Sequence, residues 1–391
     1  NQFFLTGALR MDGSSVFTEN NRNQIYTKAS ASYVISEGDW WKNRSINDWF
    51  NFAKIRAAYG ESGNLTGIGA YSRFNTYGAI PSLGRTAFTS NSILANTNVK
   101  PERQTEIEMG ADLSFLENRL GLTVNVYYKK VKELIVDRII APTTGFSSLL
   151  DNIGSLENKG FELVLSGVPL KSKDFSWNTT FIFNRNRNKA LNIGQALTLF
   201  STTGGGPVAI IEGQPIGVFY GGFFVRDNAG NLVKTEKGLL LAEKGTQSSK
   251  TPLQYTPKRD PGTGLPIGDP MRKIIGDPNP DYTATLTNEL TYKKFNFRIQ
   301  FDMVQGGDVF NADWRTRQGV GNGKEAEKEQ KGIYPRGYIH SAYFVEEWRI
   351  DDGSFVKLRE LALSYNFGTF KALKDLTLSI TGRNLISWDN Y

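Results

Sequence analysis

The sequence predicts an all-β protein, an antiparallel transmembrane β-barrel with short turns at one end and long loops at the other. Three observations carry that expectation. Apolar and polar side chains alternate at a period of two along many short segments; tight and long connections alternate between those segments; and no run of about 18 apolar residues could form a membrane-crossing helix. The low mean hydropathy of −0.37 agrees, because a barrel strand shows lipid only at every second residue.

In chain order, candidate strands fall at 2–10, 24–35, 53–59, 105–115, 122–129, 157–168, 175–187, 281–292, 295–304, 354–367 and 375–385. Most approach the roughly ten residues that a tilted strand needs to cross a bilayer. The clearest is 295–304, where Phe295, Phe297, Ile299, Phe301 and Met303 share one face and Asn296, Arg298, Gln300 and Asp302 share the other. In 105–115 the row Thr105, Ile107, Met109, Ala111, Leu113 and Phe115 opposes Glu106, Glu108, Gly110, Asp112 and Ser114. In 53–59, Ala53, Ile55, Ala57 and Tyr59 oppose Lys54, Arg56 and Ala58. Two lapses stand out: Asn288 falls on the apolar face of its strand, and the parity shifts near Arg359, where a β-bulge would account for it.

The connections are tight at Leu116–Leu120, Pro169–Asp174, Lys293–Lys294 and Gly368–Lys374, and long at 61–103, 136–156, 188–280 and 305–353. A soluble sandwich has no reason to gather its long loops at one end, whereas an outer-membrane barrel joins short periplasmic turns to long extracellular loops. The link 36–50 is longer than that rule suggests. Phe115, Phe175, Trp177, Tyr292, Phe295, Tyr365 and Phe367 flank the tight turns, with Trp40, Trp41, Trp49 and Phe50 in the longer link, as expected of a headgroup-level girdle.

Chemistry of the catalytic kind finds little footing. The chain has no Cys and a single His, His340, so no thiolate site, no histidine metal cluster and no Ser-His-Asp set with a spare base can be assembled, and His340, in a long loop, reads as a solvated loop histidine rather than a catalyst. Gly204–Gly206 lacks the Lys and Ser/Thr of a phosphate-binding loop. The net charge of +7 is spread along the chain, and the run NRNRNK at 184–189 reads as a solvated strand end rather than a nucleic-acid track. No catalytic residue, metal or cofactor is expected. Arg56, Glu106, Glu108, Arg298, Gln300 and Asp302 are expected to line a watery lumen. Binding chemistry falls to the long loop 305–353, where Trp314, Arg315, Arg317, Tyr334, Tyr338 and Trp348 offer aromatic faces beside polar groups. The same rings could instead pack the loop onto the barrel rim.

RMDGSSVFTENNR at 10–22, KIRAAYGESGN at 54–64, NVKPERQTEIEMGADLSFLENRL at 98–120, NIGSLENKGFELVL at 152–165, FSWNTTFIFNRNRNK at 175–189, PNPDYTATLTNELTYKKFNF at 278–297 and TGRNLISWDNY at 381–391 resemble the C-terminal barrel half of SusC/RagA-type TonB-dependent transporters. One departure is Pro101 before Glu102, where the family often has Trp. The resemblance implies that 1–391 is about the second half of a 22-stranded barrel, an internal fragment without the plug, the TonB box, the first strands and the final strand. It also implies outer-membrane import of a large nutrient, an oligosaccharide or a peptide, with a SusD-like lipoprotein as lid. TonB-ExbB-ExbD would act through the N-terminal region, membrane lipid would surround the barrel, and such complexes can pair as dimers. The competing reading is a non-transporting outer-membrane scaffold or surface adhesin.

Overall fold

A computed structural model describes residues 2–64, 68–194, 197–199, 207–247, 255–370 and 373–389. Its largest element is an eleven-stranded sheet in which each strand lies beside its predecessor in the chain. The strands are β1 (Phe3–Gly13), β2 (Asn23–Val34), β3 (Phe50–Asn64), β4 (Glu102–Phe115), β5 (Leu120–Lys132), β6 (Ser155–Lys171), β7 (Phe175–Leu191), β8 (Pro280–Tyr292), β9 (Phe295–Gly306), β10 (Phe355–Phe370) and β11 (Leu373–Asp389). All eleven expected strands are present, most of them extended by a few residues because pairing continues past the apolar stretch. The Gly204–Gly206 run lies outside the described residues.

Register matches apolar rows to apolar rows. Tyr33 faces Phe3 and Ile55; Ala57 faces Met109; Met109 faces Val126; Val126 faces Phe161. Because side chains alternate across a pleat, one such match fixes the whole strand, and a slip by one residue would turn every apolar group to the wrong side. The resulting apolar face stands open, with Leu9 at 78% and Ile380 at 74% exposure. Those values oppose a sandwich, whose inner rows would be buried against a second sheet. Ala31, Ala57 and Ala111 leave a hollow of about 500 Å³ on this side.

Both lapses in the alternation have causes. Arg359 has no Cα partner on β9, because Glu360 faces Gln300 while Leu358 faces Phe301; the β-bulge is real. Asn288 is accommodated by Trp177, whose indole Nε1 donates to Asn288 Oδ1 at 2.9 Å from the adjacent strand. On the opposite, polar face, Tyr127 lies across its cross-strand partner Gly160, where a Cβ would collide with the ring.

Since successive strands reverse, β2–β3, β4–β5, β6–β7, β8–β9 and β10–β11 are joined at one edge and the other five links lie at the opposite edge. At the first edge β8 and β9 need only Lys293–Lys294, with Lys293 in the left-handed region at φ 52°. The longer β2–β3 link contains α1 (Asp39–Lys42) and α2 (Ile46–Trp49). There Trp41 meets Phe50 edge to face at 4.8 Å and Phe50 stacks on Phe115 at 4.5 Å. Phe295, Tyr365 and Phe367 form a second group at the same edge. The apolar band has an aromatic border at its other end too, which the alternation in sequence does not announce. Phe183 contacts Phe161 at 6.2 Å and Tyr282 at 5.4 Å, and immediately beyond them Lys159, Arg185 and Arg187 take the same face. From Phe175 to Phe183 is roughly 27 Å along the strand at about 3.4 Å per residue, or about 19–22 Å of height at a tilt of about 35–45°, somewhat short of an apolar band about 25 Å tall.

By chain contacts the molecule divides into two compact units, one of Asn1–Asn192, Tyr282–Val304 and Phe355–Trp388, and one that includes Ile193–Asp281 and Gln305–Ser354. The first holds the sheet and a small cluster of Phe17, Ile68 and Val99. The second is built from the two longest connections. Its four-stranded sheet of Leu197–Leu199, Val208–Ile211, Val218–Gly222 and Arg272–Gly276 buries Ala209, Ile211, Val218 and Tyr220. A second core joins Phe224 and Leu240 from the first connection to Ala342 and Val345 from the other. The second connection also carries α3 (Ala312–Gly319), α4 (Lys324–Gln330), α5 (Tyr338–Tyr343) and a 3-10 turn at Glu346–Arg349. Helix α4 has no side-chain cap of its own; buried Gln318 supplies one, its Oε1 accepting from the backbone N–H of Glu325 and Ala326.

Two expectations follow. In the full-length protein Ile299→Arg should block outer-membrane assembly, because a cation facing lipid at mid-membrane costs about 2–4 kcal/mol. Gln300→Arg, beside Glu360 and Asp302, should assemble normally; heat-modifiable gel mobility reads both, and equal tolerance would undo the assignment of faces. Trp177→Phe should lower barrel stability by about 1–3 kcal/mol by stranding the Asn288 amide, and adding Asn288→Leu should recover most of the loss in a thermal melt.

Candidate functional site

The polar face of the sheet gathers the six residues expected to line a lumen into two ionic groups. In the first, Arg56 on β3 reaches across β4 to the Asn125 side chain on β5, with Glu108 at 3.8 Å and Asp112 at 3.6 Å. Glu106 lies two residues along β4, opposite Lys129. In the second, Arg298 pairs with Glu289 and, at 3.2 Å, with Glu360, which also meets Arg383 at 3.4 Å. Gln300 donates to Asp302 at 3.0 Å; Asp302 also accepts from Thr285 at 3.1 Å and from Arg359, the bulged residue, at 2.6 Å. The bulge thus turns an arginine onto the polar side. Half-exposed pairs of this kind contribute only about 0.2–1 kcal/mol each. Their effect is chemical: they produce a wall of fixed, nearly balanced charge, with hydrogen-bonding groups of both kinds.

The six residues expected to bind ligand all belong to the second unit, in two groups. Tyr334 stacks on Tyr338 at 4.1 Å, and its hydroxyl donates to Glu325 at 2.7 Å. Trp314 meets Trp348 edge to face at 6.0 Å, and both Tyr338 and Trp348 pack against the Phe224–Leu240–Ala342–Val345 core. Arg317 forms an exposed i,i+4 pair with Asp313 at 2.9 Å. Arg315 lies over the Tyr343 ring at 4.9 Å. A neighbouring cleft of about 680 Å³ is lined by Gln318, Val320, Arg336, His340, Tyr343 and Phe344. Among the described residues no group of three or more His, Cys, Asp or Glu side chains could hold a metal ion.

Two buried charges in this unit are treated in opposite ways. Glu243, 6% exposed, accepts from Arg259 Nη1 and Nη2 at 2.6 and 2.8 Å and from the Lys244 N–H at 3.0 Å. Burial favours its neutral form, but the guanidinium fork and the backbone donor win and hold the carboxyl below the ordinary range. Arg349, 7% exposed, has no such match: its Nε is buried without a partner, and its nearest carboxylate oxygen, on Glu346, is 3.9 Å away. Burial, and then the like charge of Arg315, push its guanidinium below its usual value, although an arginine stays charged. The Phe310 ring at 4.7 Å offers a cation–π contact of about 0.5–2 kcal/mol, less than the several kcal/mol it costs to desolvate an ion. Nothing in the sequence singles out Arg349, because the neighbouring acids in EEWR at 346–349 suggest that it is locally neutralised.

Comparison with known proteins places these features in context. Residues 1–385 match the family model described as "TonB dependent receptor-like, beta-barrel". The chain is 28% identical over 422 residues to TonB-dependent receptor P3 of Formosa agariphila, covering 100% of this chain and 40% of that protein. It is 24% identical over 391 residues to TonB-dependent receptor SusC of Bacteroides thetaiotaomicron, covering 94% of this chain and 36% of that one. Its fold superposes on a chain of the RagAB peptide transporter with a TM-score of 0.75 at 19% identity, covering 100% of this chain and 43% of the other. The chain spans about 40% of the length of the curated relatives it matches.

The Glu243–Arg259 pair gives a pH test of the second unit. Arg259→Met should weaken the unit by about 1–3 kcal/mol near neutrality, where a buried carboxylate is left unmatched. Wild-type Glu243, with its depressed pKa, stabilises the fold above the ordinary carboxylate range and loses that contribution as pH falls through its folded value. The gap between wild type and Arg259→Met should therefore close on acidification, read by amide hydrogen exchange at Val225 and Glu243, whose N–H groups donate to the Leu241 and Phe223 carbonyls; a gap that persists at low pH would show that the pair has no electrostatic role.

Proposed function

The chain belongs to the TonB-dependent receptor-like β-barrel family, whose members are outer-membrane proteins, and on that premise we propose that it forms part of an active importer of a large nutrient. The observation that carries the reading is the two-sidedness of the sheet: an open apolar face on one side, paired charges on the other, and the long connections gathered at a single edge. An apolar face suits acyl chains, and a charge-balanced polar face suits a wet passage for a hydrophilic solute.

In this reading Arg56, Glu106, Glu108, Arg298, Gln300 and Asp302 line the lumen. The turn edge with its tryptophans faces the periplasm, and the connections 61–103, 136–156, 188–280 and 305–353 face outward. Trp314, Arg315, Arg317, Tyr334, Tyr338 and Trp348 belong to the ligand-capturing surface, with the first four nearer to ligand, since Tyr338 and Trp348 pack into the core. The cargo in this reading is an oligosaccharide or a peptide; the "peptide transporter" title of a structural neighbour supports the second class. A SusD-like lipoprotein lid, pairing of two such complexes, and coupling to TonB-ExbB-ExbD through the remainder of the protein belong to the same reading; the TonB-dependent receptor names of the relatives support the coupling. The chain's part is binding and passage, with no bond made or broken.

Disruption of the gene should abolish growth on one member of a panel of glycans and peptides offered as sole carbon source. Loss of TonB should have the same effect, and a wild-type copy should restore growth only where TonB functions. Unchanged uptake of every panel member would favour a scaffold or adhesin instead.

A further inference from the structure

Among the described residues, the second unit contains a charge problem that its own side chains do not solve. Arg315 on α3 and Arg349 at the end of the 3-10 turn are brought together as α3 packs beside that turn: the Asn311 N–H donates to the Arg349 carbonyl at 2.7 Å, and Trp314 meets Trp348. Each guanidinium rests on a ring, Arg315 on Tyr343 and Arg349 on Phe310. Each has a buried Nε with no hydrogen-bond partner.

Every acidic side chain near them in sequence is otherwise engaged. Asp313 pairs with Arg317 at 2.9 Å. Asp351 accepts from Asn311 Nδ2 at 2.9 Å. Glu346 accepts from the Gly222 N–H at 2.8 Å, which leaves its other oxygen 3.9 Å from Arg349. Glu347 accepts from the Phe224 N–H at 2.7 Å and from Arg226 at 3.1 Å. Both glutamates of the turn are thus used to pin residues 222–224, and neither closes on Arg349. Among the described residues Arg315 has no carboxylate partner. Two neighbouring like charges, one of them nine-tenths buried, repel each other and retain free donors, whereas Glu243 in the same unit is fully matched. What is lacking is an acceptor with negative charge and several oxygens.

We propose that Arg315 and Arg349 form a receptor for an oxyanion, a carboxylate or sulfate group carried by the incoming ligand. A guanidinium presents a planar fork of donors that fits two oxygens of such a group, and two forks can share one anion. Arg315 is the entry side, being only partly buried, and Arg349 sits deeper. Trp314, the sequence neighbour of Arg315, places aromatic surface beside the same spot, suited to the ring or chain that bears the anion, and Trp348 backs it from the core. The proposal deepens the import reading by giving the cargo a charge, and rests on that reading only for how the cargo arrives.

The test uses the full-length protein in detergent, titrated calorimetrically with sodium sulfate or sodium acetate against sodium chloride at constant ionic strength. Saturable binding of sulfate or acetate is expected, weakened at least tenfold in Arg315→Gln and partly retained in Arg315→Lys. Tighter sulfate binding identifies a sulfate ester as the natural group, and tighter acetate binding a carboxylate. Arg349→Gln should abolish binding; because that variant could disturb the unit, the decisive variant is Arg315→Gln at the more exposed position, with an unchanged protease-cleavage pattern as control. Absence of saturable oxyanion binding in the wild type, or equal binding in Arg315→Gln, would overturn the proposal. A protein that binds sulfate yet supports no uptake would keep this site and lose the importer; uptake without oxyanion binding would do the reverse.

Discussion

A strand placed in hydrocarbon has to satisfy every backbone N–H and C=O within the protein while showing lipid an unbroken apolar surface. One geometric device meets both demands: a ladder of hydrogen bonds in register, with side chains alternating across the pleat. The rest of this structure depends on that device. It makes Ile299 and Gln300, adjacent in sequence, serve opposite environments, and it explains why Asn288, a single amide on the apolar side, draws the Trp177 indole from the next strand.

The other face carries the charge. Once the apolar row has taken one parity, charged groups accumulate on the other, and they lie close enough to neutralise each other in groups around Arg56 and around Arg298 and Asp302. The bulge at Arg359 belongs to the same logic. One unpaired residue moves an arginine to the polar side and resets the parity so that Leu361 and Leu363 stay on the apolar one. A local irregularity of this sort preserves the global alternation.

The second unit follows other rules. It is built on small apolar cores, spliced from two connections far apart in the chain, and several of its polar groups are matched individually. Gln318 caps a helix that lacks its own cap, and Glu243 is closed by a guanidinium fork. Against that background of satisfied groups, Arg315 and Arg349 are exceptional. A fold that matches its other buried charges and leaves two cations short of acceptors marks the place where an external partner contributes the missing charge.

The sequence by itself determined the membrane-facing half of this protein: the eleven strands, their facing, the edge with the tight turns, even the bulge near Arg359. All of these are local consequences of a period of two, readable from each residue and its immediate neighbours. The second aromatic border at Phe161, Phe183 and Tyr282, the Trp177–Asn288 bond and the partners of Arg56 needed strand pairing, because each joins positions on different strands. The second unit was legible only as two long loops with aromatic residues. Phe224 and Leu240 join Ala342 and Val345 across roughly a hundred residues, and no local pattern announces such a contact. Whether Glu346 and Glu347 neutralise Arg349 is likewise a matter of direction. Sequence puts acid beside base, but tertiary structure aims both carboxylates at the backbone of residues 222–224 and leaves the arginine waiting, because hydrogen bonds are decided by geometry rather than by proximity along the chain.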